Sequence, residues 1–179
     1  PGRDITFRNL GWSGDTPRGV SRAGLSLQQA GRESDDEGWK QLQKQIELVK
    51  PTVVFLGYGM ASSFENMPEQ FGKDMRTLKA AVTKAAGASV RFIVLSPIRH
   101  EHLGEGLPNP SVHNRQLVAY TKELGAVAEI DGDRFISLFD APALMAAKQA
   151  LTENGIHPTN QGYGAIANEI CRQLGVKRH

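Results

Sequence analysis

The run Val53-Val54-Phe55-Leu56 is wholly apolar, and three of its four residues are β-branched or aromatic. An uninterrupted run of this kind is typical of a strand that is buried on both faces of a parallel sheet. A helical apolar stripe follows it and ends before Gly87, and its members are Phe71, Met75, Leu78, Val82 and Ala85. Residues 90–95, Val-Arg-Phe-Ile-Val-Leu, predict the next strand. Strand, helix and strand in this order predict a right-handed β-α-β unit.

Further strands are predicted on both sides of this unit. Residues 5–10 alternate between apolar and polar side chains with period two, which predicts an upstream strand. Downstream, residues 134–139 predict a fourth strand, and residues 141–150 predict a short helix.

Three more apolar stripes recur at helical spacing. They are formed by Trp39, Leu42, Ile46 and Val49, by Leu117, Tyr120, Leu124 and Val127, and by Tyr163, Ile166, Ile170 and Leu174. Ser34 and Glu37 have the spacing of a capping box at the start of the first of these helices. Asn109-Pro110 offers an N-cap and a first-turn residue to the second. We therefore expect helices in all three places.

Strands that alternate with helices predict a three-layer α/β/α sandwich around a parallel sheet. The 179 residues suffice for one domain with its own core and are too few for two, so we expect one domain over residues 1–179. In such sheets ligands bind beyond the carboxyl ends of the strands. The predicted functional loops are those after Leu10, Leu56, Leu95 and Phe139.

Composition and charge argue against several classes of function. The chain has 21 Lys and Arg against 19 Asp and Glu, and the basic residues are spread along the sequence, so we expect no nucleic-acid partner. No apolar run approaches the ~20 residues of a membrane-spanning helix, and we predict a soluble chain. The single cysteine, Cys171, lies in the last apolar stripe and is interpreted as a core thiol. We expect no cofactor.

Three short motifs lie in the predicted functional loops or beside them. Ser13-Gly14-Asp15-Thr16 follows the first strand, Gly59-Met60-Ala61-Ser62 follows the second, and Asn154-Gly155-Ile156-His157-Pro158 precedes the last helix. His157 is placed as the general base of a nucleophilic triad would be. The residue three positions before it, where such a base is usually oriented by a carboxylate, is the amide Asn154.

In order and spacing these motifs resemble the SGNH (GDSL) hydrolase superfamily of esterases, lipases, thioesterases and carbohydrate deacetylases. The resemblance covers essentially the whole chain and implies a flavodoxin-like sheet with strand order 2-1-3-4-5. It implies that the backbone N–H of Gly14 contributes to an oxyanion hole and that Ala61 stands where the family has the asparagine of that hole. It also implies that His157 is the general base and that Asn154 stands where the family has the orienting aspartate.

The chain departs from the family at the nucleophile. The family's serine belongs to a first block, upstream of the strand predicted at residues 5–10. We therefore expect an upstream segment of a longer polypeptide to supply the serine together with the central strand of the sheet. Pro1 is accordingly interpreted as a cut inside that polypeptide, and we expect the present chain to be inactive by itself. Ser13 and Thr16 are less favoured nucleophiles.

The chain departs from the family at two supporting side chains as well. Ala61 offers no donor to an oxyanion, and Asn154 carries no charge to stabilise an imidazolium. Candidates to replace the donor are Ser62, Ser63 and Asn66. Candidates to replace the carboxylate are Glu153 and Asp140.

Other residues near the same strand ends are candidates to contact a substrate. The rings of Trp12 and Tyr58 flank the expected cleft, where they are suited to stack on a sugar or an acyl group, although packing in the interior explains them equally well. Arg99 and His100 follow the strand at residues 90–95. The histidines of Arg99-His100-Glu101-His102, with His113, also raise the question of a metal site. No carboxylate or cysteine spacing completes one, and we expect no metal.

Two functional hypotheses follow. The first is an acyl ester hydrolase of esterase, lipase or carbohydrate deacetylase type, which acts on a small-molecule or glycan ester with an upstream serine and His157. The second is a degenerate member that binds a glycan or acylated ligand without turning it over, which the residues Ala61 and Asn154 favour. The oligomeric state and the compartment stay open, an extracytoplasmic location included.

Overall fold

Strands and helices alternate along the chain, as the apolar patterns predict. The structure, a computed structural model, describes residues 4–22 and 37–176. Its elements, in chain order, are α1 (Glu37–Val49), β1 (Val53–Gly57), a short 3₁₀ helix (Ser62–Glu65), α2 (Pro68–Ala86), β2 (Arg91–Leu95), α3 (Ser111–Asp131), β3 (Arg134–Ile136), α4 (Pro142–Met145) and α5 (Asn160–Leu174).

The three strands form one parallel sheet in the order β1-β2-β3. Val54 pairs with Phe92, and Val94 pairs with Phe135. The strands are parallel because α2 and α3 each return the chain to the end of the sheet at which the previous strand began. The predicted α/β class is confirmed, and the three strands have the neighbours that a flavodoxin-like sandwich requires.

The core forms where α1, α2 and α3 cover one face of the sheet. The predicted stripes of α2 and α3 are buried apart from the half-buried Ala85, and Met75, Leu117, Leu124 and Val127 have 0% of their surface exposed. Leu42 and Ile46 of α1 belong to the same buried cluster as Leu56, Phe92 and Val94 of the sheet. Burial of one such side chain stabilises the fold by about 1.5–3 kcal/mol. These contacts hold the strand ends in fixed positions.

The upstream strand predicted at residues 5–10 does not form. The segment has no regular secondary structure, and Ile5 and Phe7 are 66% and 79% exposed. The reason is the lack of a neighbour: a strand needs a partner for its backbone N–H and C=O groups. β1 is the edge of the described sheet, and its Phe55 remains 44% exposed.

The strand predicted at residues 134–139 is shorter than expected. It ends at Ile136, because the N–H groups of Leu138 and Phe139 donate to the Ser96 hydroxyl at 2.8 and 2.9 Å instead of joining the ladder. The helix predicted at residues 141–150 is reduced to Pro142–Met145.

The other predicted helices form with small differences. In α5, Ile166, Ile170 and Leu174 are half-buried as part of the predicted stripe, but Tyr163 is 63% exposed. At the start of α3 the Asn109 side chain accepts the N–H of Ser111 at 2.9 Å. The Ser34 capping box lies outside the described residues. None of the helices in the described part of the chain combines the length and apolar character needed to cross a bilayer.

Candidate functional site

His157 lies in a turn whose geometry is set by Asn154. The Asn154 Oδ1 accepts the backbone N–H of His157 at 3.0 Å and that of Ile156 at 3.3 Å, and it lies 3.0 Å from His157 Nδ1. Because two backbone donors share this oxygen, the orientation of the amide is determined. An amide oxygen only accepts, so the proton of the neutral His157 ring sits on Nδ1. No residue in the described part of the chain bonds to Nε2 of this exposed ring, so its lone pair can accept a proton.

The His157 turn is held by Glu101, in the loop after β2. The carboxylate of Glu101 accepts the N–H of Leu151 at 2.9 Å, the N–H of Thr152 at 2.7 Å, and the Thr152 hydroxyl. The Thr152 hydroxyl oxygen in turn accepts the N–H of Gly155 at 3.1 Å. The backbone N–H of Glu101 closes the network by donating to Gly155 O at 2.8 Å. The loop and the turn are thus joined on both sides.

Gly155 permits a close approach between this turn and His100. Its backbone has a φ of 95°, which favours glycine, and a Cβ at this position would lie 2.6 Å from the His100 ring. Any larger residue would separate the turn from the loop after β2. The glycine of the Asn-Gly-Ile-His motif is therefore needed for packing as well as for the turn.

We expect Glu101→Gln to loosen the His157 turn. The amide replaces one acceptor with a donor that faces the N–H groups of Leu151 and Thr152, and a buried donor without an acceptor costs about 1–3 kcal/mol. Hydrogen exchange of the Thr152 and Gly155 amides, followed by NMR, should accelerate by about tenfold to a hundredfold. Glu105→Gln, an exposed change on the same loop, is the matched control and should leave these rates unchanged. Equal rates in both variants would show that the carboxylate does not hold the turn.

A second polar cluster joins the 3₁₀ helix, the loop after β2 and helix α3. Ser63 Oγ lies 2.6 Å from His113 Nε2, and His113 Nδ1 lies 2.9 Å from His100 Nδ1. The Ser63 hydroxyl donates to Met60 O at 2.7 Å, so its oxygen accepts the proton on His113 Nε2. His113 Nδ1 then accepts the proton on His100 Nδ1.

This arrangement keeps both histidines neutral and makes Ser63 structural. Burial lowers the pKa of His100 and of His113, and the proximity of His100 lowers the pKa of His113 further. Ser63 has 0% of its surface exposed, and its proton is already committed to a carbonyl oxygen. Its hydroxyl is thus occupied in the fold, although sequence reasoning offers it as a replacement donor for an oxyanion.

An open pocket of about 430 Å³ lies between this cluster and the His157 turn. Its walls include Phe64 and His113 on one side, Val112 at the start of α3, and Asn154 and Ile156 of the turn. The Phe64 ring stacks on His113 with ring centres 4.2 Å apart. Residues that follow the second and the third predicted strands therefore meet the His157 turn around one concave surface.

The Ser13-Gly14-Asp15-Thr16 motif is held by a buried ion pair. Asp15 and Arg22 approach to 3.3 Å with both side chains only 3% exposed. Asp15 Oδ1 also accepts the N–H groups of Ser21 and Arg22, at 3.1 and 3.3 Å. Arg22 donates to Leu10 O at 2.6 Å. Gly14, with a φ of 70°, lies in the loop that these contacts close.

Two of the predicted substrate-contacting rings lie around this ion pair. The Arg22 guanidinium lies 5.8 Å from the centre of the Trp12 ring, which is 55% exposed. Tyr58 is close to both members of the pair: burial raises the pKa of its hydroxyl, and the Asp15 carboxylate raises that pKa further. Trp12, Gly14 and Tyr58 thus share one region of the molecule.

The remaining predicted residues have other surroundings. Arg99 donates to Phe139 O at 2.9 Å and pairs with Asp140 at 3.2 Å, so it joins the loops after β2 and β3. Asp140, a candidate carboxylate, is therefore engaged with Arg99. Ala61 is half-buried immediately before the 3₁₀ helix. Within residues 4–22 and 37–176, no group of three or more His, Cys, Asp or Glu side chains is arranged to hold a metal ion.

Comparison with known proteins gives structural relatives only. No family model and no curated protein matches the chain. A catalytic mutant of Axe2, an acetylxylan esterase from Geobacillus stearothermophilus, is similar with a TM-score of 0.64 and 17% identity, over 92% of this chain and 70% of that one. A protein described as a GDSL-like lipase, from Parabacteroides merdae, gives a TM-score of 0.61 and 17% identity, over 77% and 68% of the two chains.

A third relative covers more of the chain. The native aryl esterase of M. smegmatis is similar with a TM-score of 0.68 and 16% identity, over 97% of this chain and 80% of that one. At this level of identity the likeness shows a shared fold. The chain therefore has the fold of the SGNH (GDSL) hydrolases, as its three motifs predict.

Proposed function

We propose that the protein to which this chain belongs is an acyl ester hydrolase of the SGNH type, with His157 as its general base. The observation that carries the proposal is the pairing of His157 Nδ1 with Asn154 Oδ1 at 3.0 Å, which directs Nε2 of this exposed ring away from the amide that orients it. The fold shared with acetylxylan and aryl esterases supports an ester substrate, either a small molecule or a glycan ester.

The nucleophile in this proposal is a serine from a segment upstream of Pro1. Within residues 4–22 and 37–176, no strand pairs with the outer edge of β1, and Phe55 of β1 is 44% exposed; both observations support the pairing of a further strand at that edge. The serine Oγ attacks the acyl carbonyl carbon while His157 Nε2 takes the hydroxyl proton, and the N–H of Gly14 stabilises the oxyanion. His157 then returns the proton to the departing alkoxide oxygen. Water repeats the sequence on the acyl-serine and releases the acid.

The two altered side chains make this a slow esterase. The Ala61 side chain has no hydrogen-bond donor, and the lack of one oxyanion donor costs about 2.7–4 kcal/mol of transition-state stabilisation. Asn154 holds the tautomer but adds no negative charge beside the imidazolium that forms during the reaction. We expect the present chain without the upstream serine to be inactive.

We expect Asn154→Asp to raise kcat for p-nitrophenyl acetate by about tenfold in the full-length protein. The carboxylate still accepts the hydrogen bond from His157 Nδ1, and it adds a negative charge beside the imidazolium that forms during the reaction; a tenfold change in rate corresponds to about 1.4 kcal/mol. Asn160→Asp adds the same charge at an exposed position at the start of α5, and it should leave kcat unchanged. An unchanged kcat in Asn154→Asp would show that residue 154 does not influence the His157 ring during the reaction.

A second candidate function is ligand binding without turnover. It is favoured by the same two residues, because Ala61 and Asn154 both lack the groups that the reaction uses. The test is hydrolysis of p-nitrophenyl acetate by the full-length protein. Turnover above the buffer rate supports the esterase. No turnover, with binding of an acylated sugar retained, supports the binding domain and contradicts the esterase.

A further inference from the structure

We propose that the pocket between α3 and the His157 turn binds the acyl chain of the substrate, and that this chain is uncharged and longer than acetyl. The inference rests on the proposed ester hydrolase function. It specifies which part of the ester the pocket binds.

The pocket lies beside the turn that carries His157, the proposed general base. Asn154, which orients His157, and Ile156, its neighbour in sequence, both line the pocket. A chain that lies between Ile156 and Val112 therefore begins next to the turn that carries the general base. The Glu101 network keeps this wall in place, because it joins the turn to the loop after β2.

The walls of the pocket are suited to hydrocarbon. Five apolar residues line it, and three of them are large side chains left exposed to solvent: Phe64 at 61%, Leu107 at 41% and Val112 at 60%. Clustered exposed apolar side chains mark binding sites for apolar groups. An acyl chain would cover all three.

The polar groups of the pocket carry no charge. They are the side chains of Asn109, Gln116 and Asn154 and the two histidines, and no Lys, Arg, Asp or Glu of the described residues lines the pocket. His100 and His113 have their Nδ1 atoms bonded to each other, and His113 Nε2 is bonded to Ser63. A carboxylate, phosphate or ammonium group in this pocket would be desolvated without a partner of opposite charge. The site therefore favours a neutral chain.

The test compares p-nitrophenyl acetate with p-nitrophenyl hexanoate in the full-length protein. We expect kcat/KM to be about tenfold higher for hexanoate, because the extra methylene groups are partly removed from water. Val112→Trp fills the pocket from the exposed start of α3 and should lower the hexanoate-to-acetate ratio of kcat/KM about tenfold. Val118→Trp, an exposed valine elsewhere on α3, is the matched control and should leave the ratio unchanged.

A second measurement does not need turnover. Hexanamide carries the same acyl chain, is neutral, and has no ester bond for the protein to hydrolyse. Its binding should shift the NMR signals of Val112 and Ile156. In Val112→Trp the shift of the Ile156 signal should be lost. No turnover of either ester contradicts the esterase function, and hexanamide binding in that case still supports the acyl pocket.

Three results would overturn the acyl pocket. The first is a hexanoate-to-acetate ratio that Val112→Trp does not change. The second is absence of hexanamide binding at Val112 and Ile156. The third concerns the alcohol part of the ester. If Val112→Trp lowers the hexyl acetate-to-ethyl acetate ratio of kcat/KM, the pocket holds the alcohol rather than the acyl group.

Discussion

Replacing His157 with alanine in the full-length protein is expected to lower kcat/KM for p-nitrophenyl acetate by at least about a thousandfold. In the proposed mechanism this change removes the group that takes the serine proton and later protonates the leaving oxygen. Asn154, which accepts from His157 Nδ1, cannot replace it, because an amide does not accept a proton at neutral pH. The measurement is steady-state hydrolysis at pH 7, with the protein concentration determined by absorbance at 280 nm.

A loss of activity in His157→Ala must be separated from a loss of structure. The His157 ring is exposed, and Asn154 is its side-chain partner in the described structure, so the free energy of unfolding should change by no more than about 0.5 kcal/mol. His102→Ala removes another exposed histidine, on the loop after β2, and should keep full activity. Wild-type turnover by His157→Ala would contradict its role as the base.

Replacing Asp15 with alanine is expected to destabilise the protein by about 3–5 kcal/mol. The change leaves the Arg22 guanidinium, 3% exposed, without its anion, and removes the acceptor for the N–H groups of Ser21 and Arg22. The loop that contains Gly14 loses its anchor at the same time, so activity should fall together with stability. The measurement is urea unfolding of the full-length protein, followed by circular dichroism.

An exposed ion pair in the same segment supplies the control for Asp15→Ala. Arg18 pairs with Glu65 at 3.0 Å, but the two side chains are 53% and 43% exposed, so Arg18→Ala should cost no more than about 1 kcal/mol. The double change Asp15→Ala/Arg22→Ala should cost less than the sum of the two single changes, because no buried charge is left alone. Equal costs for Asp15→Ala and Arg18→Ala would show that burial of the first pair does not matter.

The parts of the fold that the sequence predicts well are those decided by nearby residues. The apolar stripes of α2 and α3 are local patterns, and the structure buries them apart from the half-buried Ala85. The apolar runs of β1 and β2 form strands as predicted and bury Leu56, Phe92 and Val94, but Phe55, predicted to be buried, stays 44% exposed at the edge of the sheet. Residues 5–10 also have a strand pattern, but a strand depends on a partner elsewhere, and none lies beside them in the described residues. The early end of β3 depends on the Ser96 hydroxyl, about forty residues away in sequence.

The same distinction applies to the candidate site. His157 and Asn154 are three residues apart, and their pairing is predictable from the motif alone. The role of Glu101 is not, because its partners are the backbone N–H groups of Leu151 and Thr152, which any residue type provides. Asp15 stands in a recognisable motif, but nothing in the sequence marks Arg22 as its buried partner. Contacts between distant segments that use backbone atoms leave no signal in residue identity.

The most direct measurement reacts the full-length protein with a fluorophosphonate, which labels activated serines, and locates the label by peptide mass spectrometry. We expect one labelled serine, in the segment upstream of Pro1, and loss of the label in His157→Ala. A label on Ser13, Thr16 or Ser63, or an upstream label that persists without His157, would contradict a site that combines an upstream nucleophile with this histidine.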